Sequence, residues 1–308
     1  MNRLTRAALR AISHPNISIK KDYKLRRKLR AATGRPPLSF YRTWDHHVDC
    51  GDHEIPVRLF SPRPNAPVEA LLLFLHGGGW VTGNIDTYDR VCHHMAQLTG
   101  RMVVSVDYRL APEHRFPAGL EDCYTIARAL YRDAALLGIP PKRITLIGDS
   151  AGANLAAALS LLARDRGEFL PSGQILIYPA VYNDHSPASP FASVHRNGAD
   201  YLLTTRQICE YMELYRSCEA DLYNPYFAPL LAEDLTNQPR TLVLTAEFDP
   251  LRDEGEAYAK ALAAAGNPVE CHRITDAIHG YFSLPPHFRT VRESYGYINA
   301  FLQEGDGL

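Results

Sequence analysis

Ser150 sits in "ITLIGDSAGANLAAALS", residues 144 to 160, between a β-branched apolar stretch and an Ala- and Leu-rich one, with glycines at 148 and 152. That pattern fits a strand, a sharp turn and a helix, in which the glycines remove side chains that would clash and the serine hydroxyl is pushed into the open. A serine hydroxyl is a weak nucleophile at neutral pH, so chemistry here needs a histidine base and a carboxylate to orient it. Asp249 in "EFDPLRDEG" and His279 in "TDAIHGYF" each follow an apolar run, and the chain order is Ser, Asp, His. The chemistry would be acyl transfer: Ser150 attacks a carbonyl, His279 moves the proton, and Asp249 holds the imidazole. Glu247 and Asp253 flank Asp249, but the first falls within the strand and the second at a helix start, where carboxylates commonly cap. Asp249 is the favoured partner. His46, His47, His93, His94 and His272 have no comparable loop context.

Acyl transfer also needs donors for the oxyanion that forms on attack. "LHGGGW", residues 75 to 80, places three glycines directly after an apolar run, where bare backbone NH groups can approach a substrate beside the NH of Ala151. A phosphate-binding loop would continue into Lys and Ser or Thr, whereas this one continues into Trp80. No His, Asp and Glu set shows metal-ligand spacing, so neither a metal nor a cofactor is expected.

The elements that must bring these residues together are short apolar runs: "ALLLFL", "RMVVSV", "RITLI", "QILIY", "TLVLTA" and "VECHRI", preceded by a hairpin of "TWDHHVDC" and "EIPVRLF" about Gly51 and Asp52. Helical stretches alternate with them, notably "GLEDCYTIARALYRDAALLG", the segment after Ser150, and "DEGEAYAKALAAAG". Continuous apolar strands alternating with helices imply an α/β fold with a mainly parallel sheet covered on both faces. In such a sheet the strand ends carrying Ser150, Asp249 and His279 face one edge. A long interruption from about Asn183 to Arg240 contains the helical "TTRQICEYMELYRSC" and reads as an excursion above the sheet. Residues 1 to 32 read as helical, with Leu4, Ala8 and Ile12, then Leu25 and Leu29, at helical spacing and ten Lys or Arg on the other faces.

The 308 residues suit one large domain with an insertion. A net charge of −1 supplies no field to draw nucleic acid or an anionic membrane, so the expected partner is a small molecule. Six scattered cysteines without a Cys-x-x-Cys spacing read as reduced thiols, and the N-terminus lacks a secretory apolar core; a cytoplasmic protein is expected. The longest near-apolar run, "AGANLAAALSLLA", falls short of the roughly 20 residues that span a bilayer.

"HGGGW", "DYRLAPEHRFPA", "GDSAGANLA", "EFDPLRDEG" and "IHGYF" occur in one order between about residues 70 and 282. In these the chain resembles the hormone-sensitive-lipase-like group of α/β-hydrolase esterases, and more closely its bacterial acetyl esterases. The resemblance implies an α/β-hydrolase fold with an eight-stranded, mostly parallel sheet flanked by helices. It implies a single domain over 1–308 and a helical cap formed by about 1–40 and about 183–222. It further implies a carboxylic ester hydrolase with Ser150 as nucleophile, His279 as base then acid, Asp249 as orienting group, and an oxyanion hole of Gly78, Gly79 and Ala151. Trp80 stands where Phe is frequent, and it and Phe282 are expected at the substrate pocket. Asp107, Arg109 and Glu113 are expected to form a bracing ion network, and His76 to anchor the glycine loop.

The substrate expected from this is a short-chain ester, acetyl to about hexanoyl, taken by a monomer or dimer. An amide hydrolase with the same three residues, or a ligand-binding or regulatory protein on the same scaffold, are the competing readings. Hydrolysis should weaken as the base protonates below about pH 6 to 7, because only neutral imidazole accepts the serine proton.

Overall fold

The computed structural model describes residues 18–33, 43–63, 69–134 and 138–306, together with Leu9, Ser13 and Leu136. The expected positions Leu4, Ala8 and Ile12, and residues 34–40 of the expected cap, lie outside the described residues. The described chain begins with helix α1 (Ile19–Thr33), then the hairpin β1 (Thr43–Asp49) and β2 (Glu54–Phe60). Alternation follows: β3 (Leu71–Leu75), α2 (Asp89–Thr99), β4 (Met102–Val106), α3 (Ala118–Arg132), β5 (Ile144–Asp149), α4 (Ala151–Arg166) and β6 (Gly173–Ile177). The excursion carries α5 (Ala192–Asn197) and α6 (Thr205–Tyr215), after which come β7 (Arg240–Phe248), α7 (Arg252–Ala264), β8 (Val269–Ile278) and α8 (Arg289–Asp306).

The eight strands form one sheet in the order β1-β2-β4-β3-β5-β6-β7-β8. β1 with β2 and β2 with β4 pair antiparallel; every other pair is parallel, so this is an α/β-hydrolase fold. The continuous apolar runs are explained by burial on both faces. In β3, Leu71, Leu73 and Leu75 join a core shared with α3, α4 and α7, while Leu72 and Phe74 join one shared with α2 and α8. Helices α2 and α8 were not among the elements the sequence named. Helix α4 runs through the centre of the first core, and its buried polar residue Asn154 is satisfied: its amide donates to Ala180 O at 2.8 Å and Phe227 O at 2.9 Å, and accepts from Trp80 Nε1 at 3.2 Å. Among the described residues no helix is long and apolar enough to cross a membrane.

Helices α1 and α6 pack together. The start of α6 is fixed by a capping box, Thr204 with Gln207. Glu210 of α6 accepts from the backbone of Ile19 at 2.6 Å, and Lys20 pairs with Glu213. The expected apolar stripe of α1 is turned the other way: Leu25 and Leu29 are 48% and 52% exposed. The inward face holds arginines instead, because the surroundings offer acceptors. Arg27 donates to Val81 O at 2.7 Å, to Ala111 O at 2.8 Å and to both oxygens of Glu113.

Candidate active site

Ser150 occupies the bend between β5 and α4 with φ 56° and ψ −119°, and its NH donates to Ile177 O at 2.9 Å. The bend is possible only because Gly152 brings α4 against β3: a Cβ there would stand 1.9 Å from Leu75 O. His279 follows β8 and Asp249 follows β7, so adjacent parallel strands deliver both to the same edge as Ser150. His279 Nε2 lies 2.8 Å from Ser150 Oγ, and its Nδ1 lies 2.7 Å from Asp249 Oδ2. A carboxylate only accepts, so the ring carries its proton on Nδ1 and leaves Nε2 to accept from the serine hydroxyl. Asp249 is fully buried, and its other oxygen accepts from Leu251 N at 2.9 Å. The flanking carboxylates are engaged elsewhere: Glu247 takes the NH of Asp276, and Asp253 takes the NH of Ser193.

The glycine loop follows β3, beside this edge. Gly78 and Gly79 have φ of 132° and 62°, and a Cβ on Gly78 would meet Thr82 O at 2.0 Å. Among the described residues the NH groups of Gly78, Gly79 and Ala151 donate to no protein acceptor. Tyr211 of α6 lies directly over Gly79. His76 is buried beneath the loop, within 3.0 Å of Gly77 O and stacked on Tyr108 at 4.3 Å. Burial without a countercharge pushes its imidazole down to about 3, so it stays neutral.

Four residues that the sequence did not single out complete the site. Asp149, beside Ser150, accepts from Gly77 N at 2.8 Å, Tyr88 OH at 3.1 Å and Tyr178 OH at 3.3 Å. Arg30 of α1 donates in turn to Tyr88 OH at 3.0 Å. Burial raises the Asp149 carboxyl above the usual range, opposed by Arg30 and by these hydrogen bonds. Asp149 was visible inside the motif around Ser150, but its tyrosine and arginine partners carry no local signal.

Asp149, Tyr88 and Arg30 line a cavity of about 320 Å³ together with Trp80, Ser150, Ala151, His279, Leu203 and Ile208. Trp80 forms part of its wall while stacking on Tyr215 at 4.6 Å. Phe282 does not reach it: Gly280, with φ 81°, turns the chain inward, and Phe282 is buried against Tyr295. The expected ion network is also corrected. Arg109 pairs with Asp122 at 2.8 Å and Glu113 with Arg27 at 2.9 Å, while Asp107 accepts from Ile85 N, its carboxyl raised by burial to about 6. These are three separate braces, and none reaches Ser150. A larger groove of about 1170 Å³ opens at the opposite ends of the strands, between Arg101, Phe169 and Phe301. Among the described residues no cluster of His, Cys, Asp or Glu forms a metal-ligand set.

Residues 72–283 match the family described as the alpha/beta hydrolase fold. An arylesterase of Saccharolobus solfataricus is 39% identical over 284 residues, covering 91% of this chain and 89% of its own length. An ethyl acetate hydrolase of Pseudomonas putida is 40% identical over 235 residues, covering 75% of this chain and 73% of its own. The solved hyperthermophilic esterase of Pyrobaculum calidifontis superposes with a TM-score of 0.85 at 36% identity, covering 99% of this chain and 98% of that one. With residues 72–283 matched by that family and relatives about 40% identical over most of its length, the protein belongs to the α/β-hydrolase fold family, in its hormone-sensitive-lipase-like branch.

Proposed function

We propose that this enzyme, a carboxylic ester hydrolase, works as a serine esterase through Ser150, His279 and Asp249 by way of an acyl-enzyme. The observation that carries the reading is the continuous relay from Asp249 through His279 to Ser150, at 2.7 and 2.8 Å, facing three undirected backbone NH groups. His279 takes the proton as Ser150 Oγ attacks the ester carbonyl, and the carbonyl oxygen gains charge beside the NH groups of Gly78, Gly79 and Ala151. Collapse breaks the bond to the alcohol, to which His279 returns the proton. Water then repeats the attack on the acyl-serine, and the acid leaves. Asp249 holds the imidazole in the tautomer this requires and faces the imidazolium that forms.

Helix α1 and the segment around α6 serve as a cap, since Arg30, Leu202, Leu203 and Tyr211 close the cavity from above the sheet edge. A cavity of about 320 Å³ is at the small end of the range for ligand pockets, which supports acyl chains from acetyl to about hexanoyl. Hydrolysis of p-nitrophenyl esters from acetate to palmitate tests this. Activity is expected on the short chains alone, with kcat in Ser150→Ala lower by roughly four to six orders of magnitude. A loss below tenfold, or equal rates on palmitate, would overturn the assignment.

A further inference from the structure

The cavity beside Ser150 has an apolar wall of Ala180, Leu202, Leu203, Ile208 and Leu251, but α1 adds two arginines, Arg26 and Arg30, to the same wall. Their situations differ. Arg30 donates to Thr82 Oγ1 at 3.1 Å and Tyr88 OH at 3.0 Å, and lies in the field of Asp149. Arg26 forms no ion pair with any carboxylate among the described residues, and its Nε is buried without a hydrogen-bond partner. Asp149, the one carboxylate lining the cavity, is turned to Gly77, Tyr88 and Tyr178. The cavity therefore carries an uncompensated cation.

A guanidinium cannot shed its proton, so Arg26 stands in the cavity wall as a fixed positive charge with no carboxylate among the described residues beside it. The group that satisfies it best is a carboxylate, whose two oxygens match the planar fork. A cavity of about 320 Å³ has space for a short ester and one such group together.

We propose that the substrates of this enzyme are short esters bearing a second, free carboxylate, which Arg26 holds while Ser150 attacks the ester carbonyl. The inference rests on the serine esterase reading above. The charge belongs either to the acid, as in a half-ester of a small dicarboxylic acid, or to the alcohol.

Two substrate pairs separate these sources. The first is mono-p-nitrophenyl glutarate against its neutral isostere, in which an isopropyl group replaces the terminal carboxylate. The second is para-acetoxybenzoate against para-isopropylphenyl acetate. In at least one pair the charged ester is expected to show a kcat/KM about tenfold or more above its neutral partner. Arg26→Gln should lower that ratio by about tenfold, chiefly through KM, and Arg26→Lys should restore part of it by keeping the charge without the fork. Preference for the neutral ester in both pairs, or a ratio indifferent to Arg26→Gln, overturns the proposal. Phenyl acetate, assayed alongside with wild type and Ser150→Ala, keeps the two readings apart. If the wild type hydrolyses it and Ser150→Ala does not, a neutral preference removes only the carboxylate; if the wild type hydrolyses neither phenyl acetate nor any of the four paired esters, the esterase reading itself falls.

Discussion

Ser150 holds a backbone conformation that an L-residue adopts only when its surroundings leave no other, and the glycines on either side are the visible trace of that constraint. That is why the serine, Asp249 and His279 were legible: each closes a strand and sits in a short pattern with its own physical reason. Phe282 was misread because adjacency to His279 says nothing about direction, which Gly280 reverses. Tyr88 escaped notice because its contact with Asp149 joins positions 61 apart in the chain. His76 was legible as an anchor, and its burial has a measurable consequence. Its folded-state value of about 3 lies below the roughly 6.5 of an unfolded histidine, so the unfolded chain binds the extra proton first. The stability it supports is present above about pH 6.5 and is lost as pH falls toward 3. His76→Asn, which leaves a void and removes the stack on Tyr108, should cost ~2–4 kcal/mol at pH 8. The gap between wild-type and variant urea midpoints should narrow at pH 4; a constant gap would show that His76 does not stay neutral in the folded protein.

Helix α4 lies hard against β3 at Gly152. Gly152→Ala puts a methyl group 1.9 Å from Leu75 O, against backbone that belongs to the central strand and cannot swing aside. Because β3 leads into the glycine loop, the displacement reaches Gly78 and Gly79 as well as Ser150. The variant should lose at least about a hundredfold in activity along with a lowered melting temperature. Full activity at wild-type stability would mean that the bend tolerates a side chain. Strands and hairpin were legible because β-branched and leucine runs with Gly-Asp punctuation match their period closely. Helix α2 was not, since its N-cap residue Tyr88 makes no side-chain cap, and its buried Val91, Cys92, Met95 and Ala96 are interleaved with His93 and His94. The braces of the Asp107 to Glu113 stretch, read as one network, divide because the loop passes between two neighbours, α3 on one side and α1 on the other.

Over the whole molecule, two cores on opposite faces of one sheet account for the fold, and both follow from the apolar runs of the central strands, which bury residues on each face. Helix α1 is the exception. Past Ile19 and Tyr23 it turns Leu25 and Leu29 to solvent and arginines to the protein, so the amphipathic rule that places the other helices orients it backwards. Past Tyr23 its seat is made of charge-assisted hydrogen bonds more than buried hydrocarbon, and the two respond to different variables. Exposing apolar surface carries the heat-capacity change that makes protein stability depend on temperature at both extremes. Lifting α1 exposes little of it, so that motion should be nearly flat with temperature and governed by ionic strength, which weakens part-exposed ion pairs. Amide hydrogen exchange in α1 is expected to quicken several-fold between ~0.05 and ~0.5 M sodium chloride while exchange in β3 and β5 stays unchanged; equal responses would mean that α1 opens only with the core. Helix α1, whose arginines line the cavity of Ser150, would in this sense be an electrolyte-sensitive part riding on a temperature-sensitive body.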